Sequence, residues 1–519
     1  MEDTARRARN LTPERLSELV MRRKQGRGPG PKLSGGMEIS RRGATSAPLS
    51  FAQQRLWLLD QLEPGSAACN LASPLRLRGL LAPGLLAGCL SEIARRHESM
   101  RTRFEPRGGD PVQVISPQAE LPLPLIDLSG LPEASRETEG WRLARLDAAV
   151  PFDLARGPLV RAHLLRLGAE DHLLLATLHP MISDGWSMGL LLRELSTLYG
   201  AGAAGRPSPL AEPPIQYADF ALWQRERLQG PALQEQLAYW RRQLQGAPAA
   251  LELPADRPRP AVQEHRGGHL SLRIPAGLTA GLRELSRRQR ATLFMTLLAA
   301  CKVVLRRWSG QDDVVVGSPS AGRQRLETEG LIGPFRGTLV LRTDLSGSPS
   351  FLALLERVRE TVLGAYRHQD VPFERLLEEL PVERQLSRAP LFQVMLDMAT
   401  PPEMSLELPG LRVEPLEAPE TPARLDLTLS VEDRGEEIAC DLMYDAALFD
   451  RARMEVFLAQ YLYVLEQVAA APETPIAALS LAPPGPRRPP AAWPARVRGA
   501  LGAGLPLPAI LGSPAGGKP

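Results

Sequence analysis

No apolar stretch in this chain reaches the ~18 consecutive residues that a membrane span requires. The N-terminus also lacks the basic-then-apolar pattern of a secretory signal. Cysteine is scarce: Cys69, Cys89, Cys301 and Cys440 lie far apart and lack metal-ligand spacing. They read as buried thiols, which places the protein in a reducing cytoplasm. His265 and His269 flank Gly267-Gly268 but belong to no ligand set of metal type, so no metal is expected. A net charge of only +3 gives no overall attraction to nucleic acid, and neither a basic stripe nor a base-reading module is present. A Gly-rich phosphate loop is missing too.

The 519 residues, 44% of them hydrophobic, can bury a large core and allow two to four domains. Residues 1–45 stand apart as a basic arm, with eleven basic residues against five acidic ones. Within it, Thr12 and Pro13 mark the start of a short helix to about Lys24, and Gly26 to Gly36 form a linker. From 46 to 480, strand and helix patterns alternate. Helices are predicted over Pro83–Arg96, Gly185–Tyr199, Leu278–Trp308 and Ser350–Tyr366. Strands are predicted at Pro111–Ile115, Leu159–Leu167, Asp313–Gly317 and Leu339–Thr343. The pattern divides into two α/β halves, 46–225 and 226–480, with a connecting helix over 226–260. Residues 481–519 hold many prolines and no acidic residue, and read as a disordered tail. Trp57, Trp223 and Trp240 read as packing anchors.

One heptad carries the functional question. His179-Pro180-Met181-Ile182-Ser183-Asp184-Gly185 follows the apolar run Leu173 to Leu178 and precedes a helical pattern. That is a strand-to-loop junction, where acyl-transfer enzymes often carry a general base. Transfer from a thioester to an amine needs the amine neutral and positioned, and a histidine near pH 7 can accept or relay the proton. Asp184 can orient such a histidine, or hold the loop through an arginine. Pro180 offers no titratable group and no backbone N–H. Neighbouring side chains on a strand face opposite ways. If position 180 faces the reaction channel, His179 faces the interior and is expected to be buried and hydrogen-bonded.

Five further segments stand in order along the chain: Leu49-Ser50-Phe51-Ala52-Gln53-Gln54-Arg55-Leu56-Trp57; Arg96-His97-Glu98-Ser99-Met100-Arg101-Thr102-Arg103-Phe104; Tyr217-Ala218-Asp219-Phe220-Ala221-Leu222-Trp223-Gln224-Arg225; His368-Gln369-Asp370-Val371-Pro372-Phe373-Glu374; and Ser387-Arg388-Ala389-Pro390-Leu391-Phe392-Gln393-Val394-Met395. With the heptad, they make residues 48–480 resemble the condensation domains of nonribosomal peptide synthetases, most closely the subtype that joins two L-configured aminoacyl groups. The resemblance implies an α/β fold of two chloramphenicol-acetyltransferase-like lobes, a V-shaped pseudo-dimer with a central tunnel. Peptidyl or acyl carrier proteins dock at its ends and deliver substrates on phosphopantetheine arms, and no cofactor is bound.

The same resemblance assigns roles to residues. The family heptad is His-His-x-x-x-Asp-Gly, and its second histidine, the catalytic or positioning residue, falls on Pro180; no catalytic residue is intact. His179, Asp184, Gly185 and Arg101 become structural, with Asp184 expected to pair with Arg101. Gly185 is expected to allow a tight turn and close approach of a substrate backbone. Ser183, Trp186, Phe335, Arg336 and Gly337 are expected to border the tunnel. In that last segment, Ile332-Gly333-Pro334-Phe335-Arg336-Gly337-Thr338, Arg336 stands for an apolar residue and Gly337 for an asparagine. Arg336 either points to solvent or pairs with a carboxylate and narrows the passage.

Two functions follow as expectations. One is a free-standing, monomeric docking platform of antibiotic or other secondary-metabolite biosynthesis. It would be catalytically impaired and would present carrier-tethered intermediates, with a tailoring oxidase as a candidate partner. The other is an active condensation enzyme that forms an amide or ester without the usual histidine. Neither nucleic acid nor a membrane is expected as a partner.

Overall fold

A computed structural model describes residues 38–482, apart from 63, 68–69, 119, 381–384, 386, 399–405 and 417–422. The helix expected near Leu11, the Pro-rich tail and Cys69 lie outside the described residues. The end of the basic arm belongs to the folded body: Ile39 is buried, and Arg42 donates through its backbone and side chain to Asp219 Oδ1 at 3.0 and 2.8 Å.

The first half runs β1 (Ser46–Pro48), α1 (Phe51–Leu62), β2 (Leu71–Gly79), α2 (Pro83–Arg96), a 3-10 turn (Glu98–Arg101), β3 (Thr102–Arg107), β4 (Asp110–Ile115), β5 (Leu125–Asp127), α3 (Glu133–Ala149), β6 (Val160–Gly168), β7 (Asp171–Leu178), α4 (Gly185–Ala203) and α5 (Tyr217–Arg227). The second runs α6 (Gly230–Leu244), β8 (Gly267–Ile274), α7 (Ala276–Arg288), α8 (Leu293–Ser309), β9 (Asp313–Ser320), α9 (Leu326–Glu329), β10 (Gly337–Asp344), α10 (Phe351–Arg367), α11 (Phe373–Glu379), β11 (Val394–Asp397), β12 (Leu411–Pro415), β13 (Leu427–Asp433), β14 (Ile438–Asp445) and α12 (Arg451–Ala470).

Each half builds one large sheet. The first has strand order β12-β2-β7-β6-β5 and the second β10-β9-β11-β13-β14-β8; β1-β4-β3 form a small third sheet. Helix α2 shows why these segments fold as they do. Pro83 occupies its first turn, and Leu86, Cys89, Leu90, Ile93 and Ala94 recur at helical spacing and are buried. Strand β7, between β2 and β6, is buried on both faces because Leu174 and Leu178 pack into one apolar cluster and Leu173 and Leu175 into another.

Several expectations need correction. The helix expected over Leu278–Trp308 is two helices. Arg290 takes a left-handed conformation (φ +50), Ala291 N–H reaches Ser286 O at 2.9 Å and Arg290 N–H reaches Arg287 O at 3.2 Å. That is a Schellman ending made without the usual glycine, and Thr292 Oγ1 then caps α8 by accepting from Met295 N–H. The connecting helix spans only 230–244, bounded by Gly230 (φ +55) and Gly246 (φ +71). The division at 225/226 is not clean in space either. β12 comes from the second half yet pairs antiparallel with β2 of the first-half sheet, Leu411 opposite Gly79.

The core of the second half contains a charge. Lys302 lies on α8 among apolar residues and is fully buried. Its Nζ donates to Val314 O at 3.0 Å, Leu341 O at 2.6 Å and Thr343 Oγ1 at 2.9 Å, so all three ammonium protons are used. Burial lowers its pKa to about 7.

Candidate functional site

Strand β7 delivers the chain to a tight turn over 179–182, closed by Ile182 N–H donating to His179 O at 3.0 Å. His179 is buried, as expected for a side chain facing inward. Its Nδ1 accepts Met181 N–H at 3.1 Å, and Phe152 meets the ring edge-on at 6.0 Å between centroids. Burial lowers its pKa to about 4, so the ring is neutral and already committed to the turn. Pro180 is half-buried at the tip. The turn is held from outside by Gln53 of α1, whose Nε2 donates to Met181 O at 3.0 Å. The first motif thus fixes the backbone of the heptad.

Asp184 begins α4 and gathers five donors. Ser187 N–H (2.8 Å), Ser187 Oγ (2.7 Å) and Arg323 Nη2 (3.3 Å) reach Oδ1; Phe335 N–H (3.0 Å) and Arg336 N–H (3.2 Å) reach Oδ2. One bond is an N-cap, and the last three tie α4 to the segment between β9 and β10. The expected partner Arg101 is not among them. Arg101 donates to Ser116 O, and its Nη2 is 3.9 Å from Glu98. Arg323 takes the place in the ion pair because Gly322 lets the chain turn inward: it has φ +64, and a Cβ there would lie 1.8 Å from Phe335 O. Arg323 is buried, donates to Thr328 O at 2.5 Å and Leu331 O at 2.7 Å, and its guanidinium sits 4.1 Å from the Phe335 ring centroid.

The 323–337 segment belongs to the second half in sequence and to the first in contacts. Ser99 Oγ donates to Ile332 O at 2.8 Å, and Ser187 Oγ, whose proton goes to Asp184, accepts Gly333 N–H at 3.0 Å. Tyr217 OH donates to Pro334 O at 3.0 Å, and Trp186 Nε1 to Glu329 O at 3.0 Å. His97 Nδ1 accepts Ile332 N–H at 3.4 Å, while its Nε2 lies 3.1 Å from Glu194 Oε1 without hydrogen-bond alignment. Gly333 is required here, since a Cβ would lie 2.1 Å from the Tyr217 ring. The second and third motifs, which carry Ser99 and Tyr217, are therefore the surface on which this segment rests.

A family model described as "Condensation domain" matches residues 44–488. The chain belongs to the condensation-domain family. It is 49% identical over 436 residues to a linear gramicidin synthase from Brevibacillus parabrevis, covering 84% of this chain and 9% of that protein. It is 42% identical over 483 residues to phosphinothricin tripeptide synthetase PhsC of Streptomyces viridochromogenes, covering 92% of this chain and 44% of that one. The chain thus spans less than half the length of either relative. Among solved structures it is similar to the X-domain from teicoplanin biosynthesis, with TM-score 0.76, 33% identity, and 86% and 100% of the two chains covered. A complex of that X-domain with OxyB matches with the same TM-score at 31% identity, covering 87% of this chain and 99% of that one. The first condensation domain of the calcium-dependent antibiotic synthetase shares the fold at 24% identity and TM-score 0.66. The two large sheets are thus the two lobes of the chloramphenicol-acetyltransferase-like fold.

The condensation-domain residues expected at the tunnel divide into two groups. Ser183 and Phe335 are sealed in the interior: Ser183 is 2% exposed, and Phe335 packs on Tyr217 and Phe220 at 4.8 and 4.7 Å between centroids. Both support the fold and face no open space. Trp186, Arg336 and Gly337 are partly or largely exposed. Arg336 pairs with a carboxylate, Nη2 to Asp397 Oδ2 at 2.5 Å, with half its side chain exposed. Gly185 is exposed, does not have a positive φ, and a Cβ there would meet nothing within 4 Å. The tight-turn role expected of it does not apply. Open space lies beside Gly185, at the first residue of α4. Among the described residues no group of three His, Cys, Asp or Glu could hold a metal ion, and no helix is long and apolar enough to cross a membrane. Cys89, Cys301 and Cys440 are buried free thiols.

Proposed function

We propose that this condensation domain is a docking platform in secondary-metabolite biosynthesis, which holds carrier-protein-tethered intermediates for a partner enzyme and does not itself make the bond. The observation that carries this reading is the pairing of Pro180 with His179. The position of the family's base has no proton acceptor, and the adjacent imidazole is buried, neutral and occupied by Met181 N–H. A missing general base costs roughly 10²–10⁴-fold in rate. The supporting likeness is to the teicoplanin X-domain, whose solved complex with OxyB is a complex of a condensation-like fold with another protein. By that analogy a tailoring oxidase and carrier proteins bearing phosphopantetheine are the partners.

The second reading is catalysis by positioning. The open space at Gly185 favours it, because a substrate can approach the α4 N-terminus there. Proximity and orientation can supply up to ~7–11 kcal/mol in ideal cases. An amine facing a thioester would survive the loss of a base better than a hydroxyl.

The deciding experiment loads donor and acceptor carrier proteins, adds the protein and follows condensed product by mass spectrometry. The platform reading expects product at the rate of uncatalysed aminolysis; product above it overturns that reading. In the same assay, a gain of roughly 10²–10⁴-fold with Pro180→His would show that only the base is missing.

A further inference from the structure

The ion pair between Arg336 and Asp397 adjoins the heptad without belonging to its buried network. Arg336 N–H is bonded to Asp184 Oδ2 at 3.2 Å, so its backbone is fixed to the start of α4. Its side chain turns to Asp397 at the end of β11. Met395 of β11 lies beside Gly317 of β9, and Gly337 pairs with Ser320, so Asp397 sits where the second-lobe sheet meets the 323–337 segment.

The two arginines around Asp184 differ in one respect. Arg323 is 5% exposed and enclosed by carbonyls, a hydroxyl and a carboxylate. The Arg336 side chain is 49% exposed, and its Nη2 donates to one oxygen, Asp397 Oδ2. A guanidinium has five N–H donors in a planar fork that matches carboxylate and phosphate oxygens. The pair is open to solvent on the arginine side, where its attraction is screened and the guanidinium keeps donors for a second anion. Asp397, 15% exposed at its side chain, holds the fork in place and keeps the charge balanced while no ligand is present.

We propose that Arg336 is an anion-reading residue, which exchanges Asp397 for a carboxylate or phosphate oxygen of the tethered ligand presented at the Gly185 face. This rests on the docking reading above and adds the chemical class of what is docked. The anion has two candidate sources, the phosphate of the phosphopantetheine arm or an acidic group on the acyl chain.

Binding to the full chain is measured by calorimetry with two pairs of probes: pantetheine against 4′-phosphopantetheine, and butyryl-pantetheine against succinyl-pantetheine. The anionic member of one pair is expected to bind about tenfold more tightly than its neutral partner, and the pair that shows the preference names the source. Arg336→Gln is expected to abolish the preference while leaving the neutral probe unchanged. Arg336→Lys is expected to retain part of it, and Asp397→Asn to increase it by removing the competing carboxylate. Unchanged melting temperatures exclude misfolding as the cause. Equal binding of both members in each pair, including no binding of either, overturns the proposal, as does a preference that survives Arg336→Gln. Neither result bears on product formation from loaded carriers, so the docking reading is tested separately.

Discussion

Arg323 Nη2 lies 3.3 Å from Asp184 Oδ1, and both side chains are nearly sealed from solvent. The pair joins residues from opposite halves of the chain. Its carboxylate also satisfies the N–H groups of Phe335 and Arg336. Asp184 is therefore a structural junction, and that role does not require the domain to be catalytic.

Removing that junction should be severe. Asp184→Ala leaves Arg323 buried without its counter-charge and strands several donors, which is expected to cost about 3–5 kcal/mol in urea-unfolding free energy. Arg101→Ala is expected to cost less, about 1.5–3 kcal/mol, since it removes one charge-assisted hydrogen bond to Ser116 O and a distant contact with Glu98. Equal losses in the two variants would contradict the assignment of Arg323 as the partner.

Acid stability should depend on His179. Its pKa is about 4 in the fold and 6.5 for the ordinary group, so the unfolded chain binds the proton more tightly. The stability contribution is complete above pH 6.5 and is lost as pH falls toward 4, by roughly 3 kcal/mol. His179→Asn retains an acceptor for Met181 N–H and does not titrate. Denaturant midpoints between about pH 7 and 4.5 are expected to fall less steeply in that variant.

Lys302 acts in the opposite pH region. Its folded pKa of about 7 lies below the ordinary 10.5, so the cost of burying the ammonium is full below pH 7 and declines as pH rises toward 10.5. From about pH 7 to 8, below the ordinary titration of a thiol, stability is expected to rise by about 1 kcal/mol from this group. Lys302→Met should abolish that slope. It should also lower stability at about pH 8, because the remaining amine N–H donors to the Val314 and Leu341 carbonyls and the Thr343 hydroxyl are lost.

Gly185→Ala separates fold from ligand approach. With open space around the missing Cβ and no positive φ, the substitution is expected to leave stability unchanged or raise it by about 0.4–1 kcal/mol. The same variant is expected to weaken binding of a loaded carrier protein, measured by fluorescence anisotropy. Unaltered binding would show that the ligand does not pass this face.

Much of this was legible in the sequence, and the exceptions have physical causes. Helix α2 was readable to the residue because Pro83 opens it and its apolar spacing is regular. The break between α7 and α8 was not, because Arg290 takes a backbone position that usually signals itself as glycine. The inward turn of His179 followed from strand alternation. The partner of Asp184 did not, since a contact across 139 residues leaves no local pattern. Gly322 before Arg323 was the available signal, a glycine that must admit the Phe335 carbonyl. Lys302 was also visible, as a lone charge inside the apolar run from Leu293 to Leu305.

The strand β12 and the segment 323–337 both leave their own half to complete the other. A cut between residues 225 and 226 would remove an edge strand from the first sheet and take away at once the second-half partners of Asp184, Ser99 and Ser187. The two halves thus depend on each other to fold. A first half left alone would have an open sheet edge and unsatisfied buried polar groups. A chimera that joined one lobe to a foreign one would have to match at these crossings, β12 against β2 and 323–337 against Ser99 and Ser187.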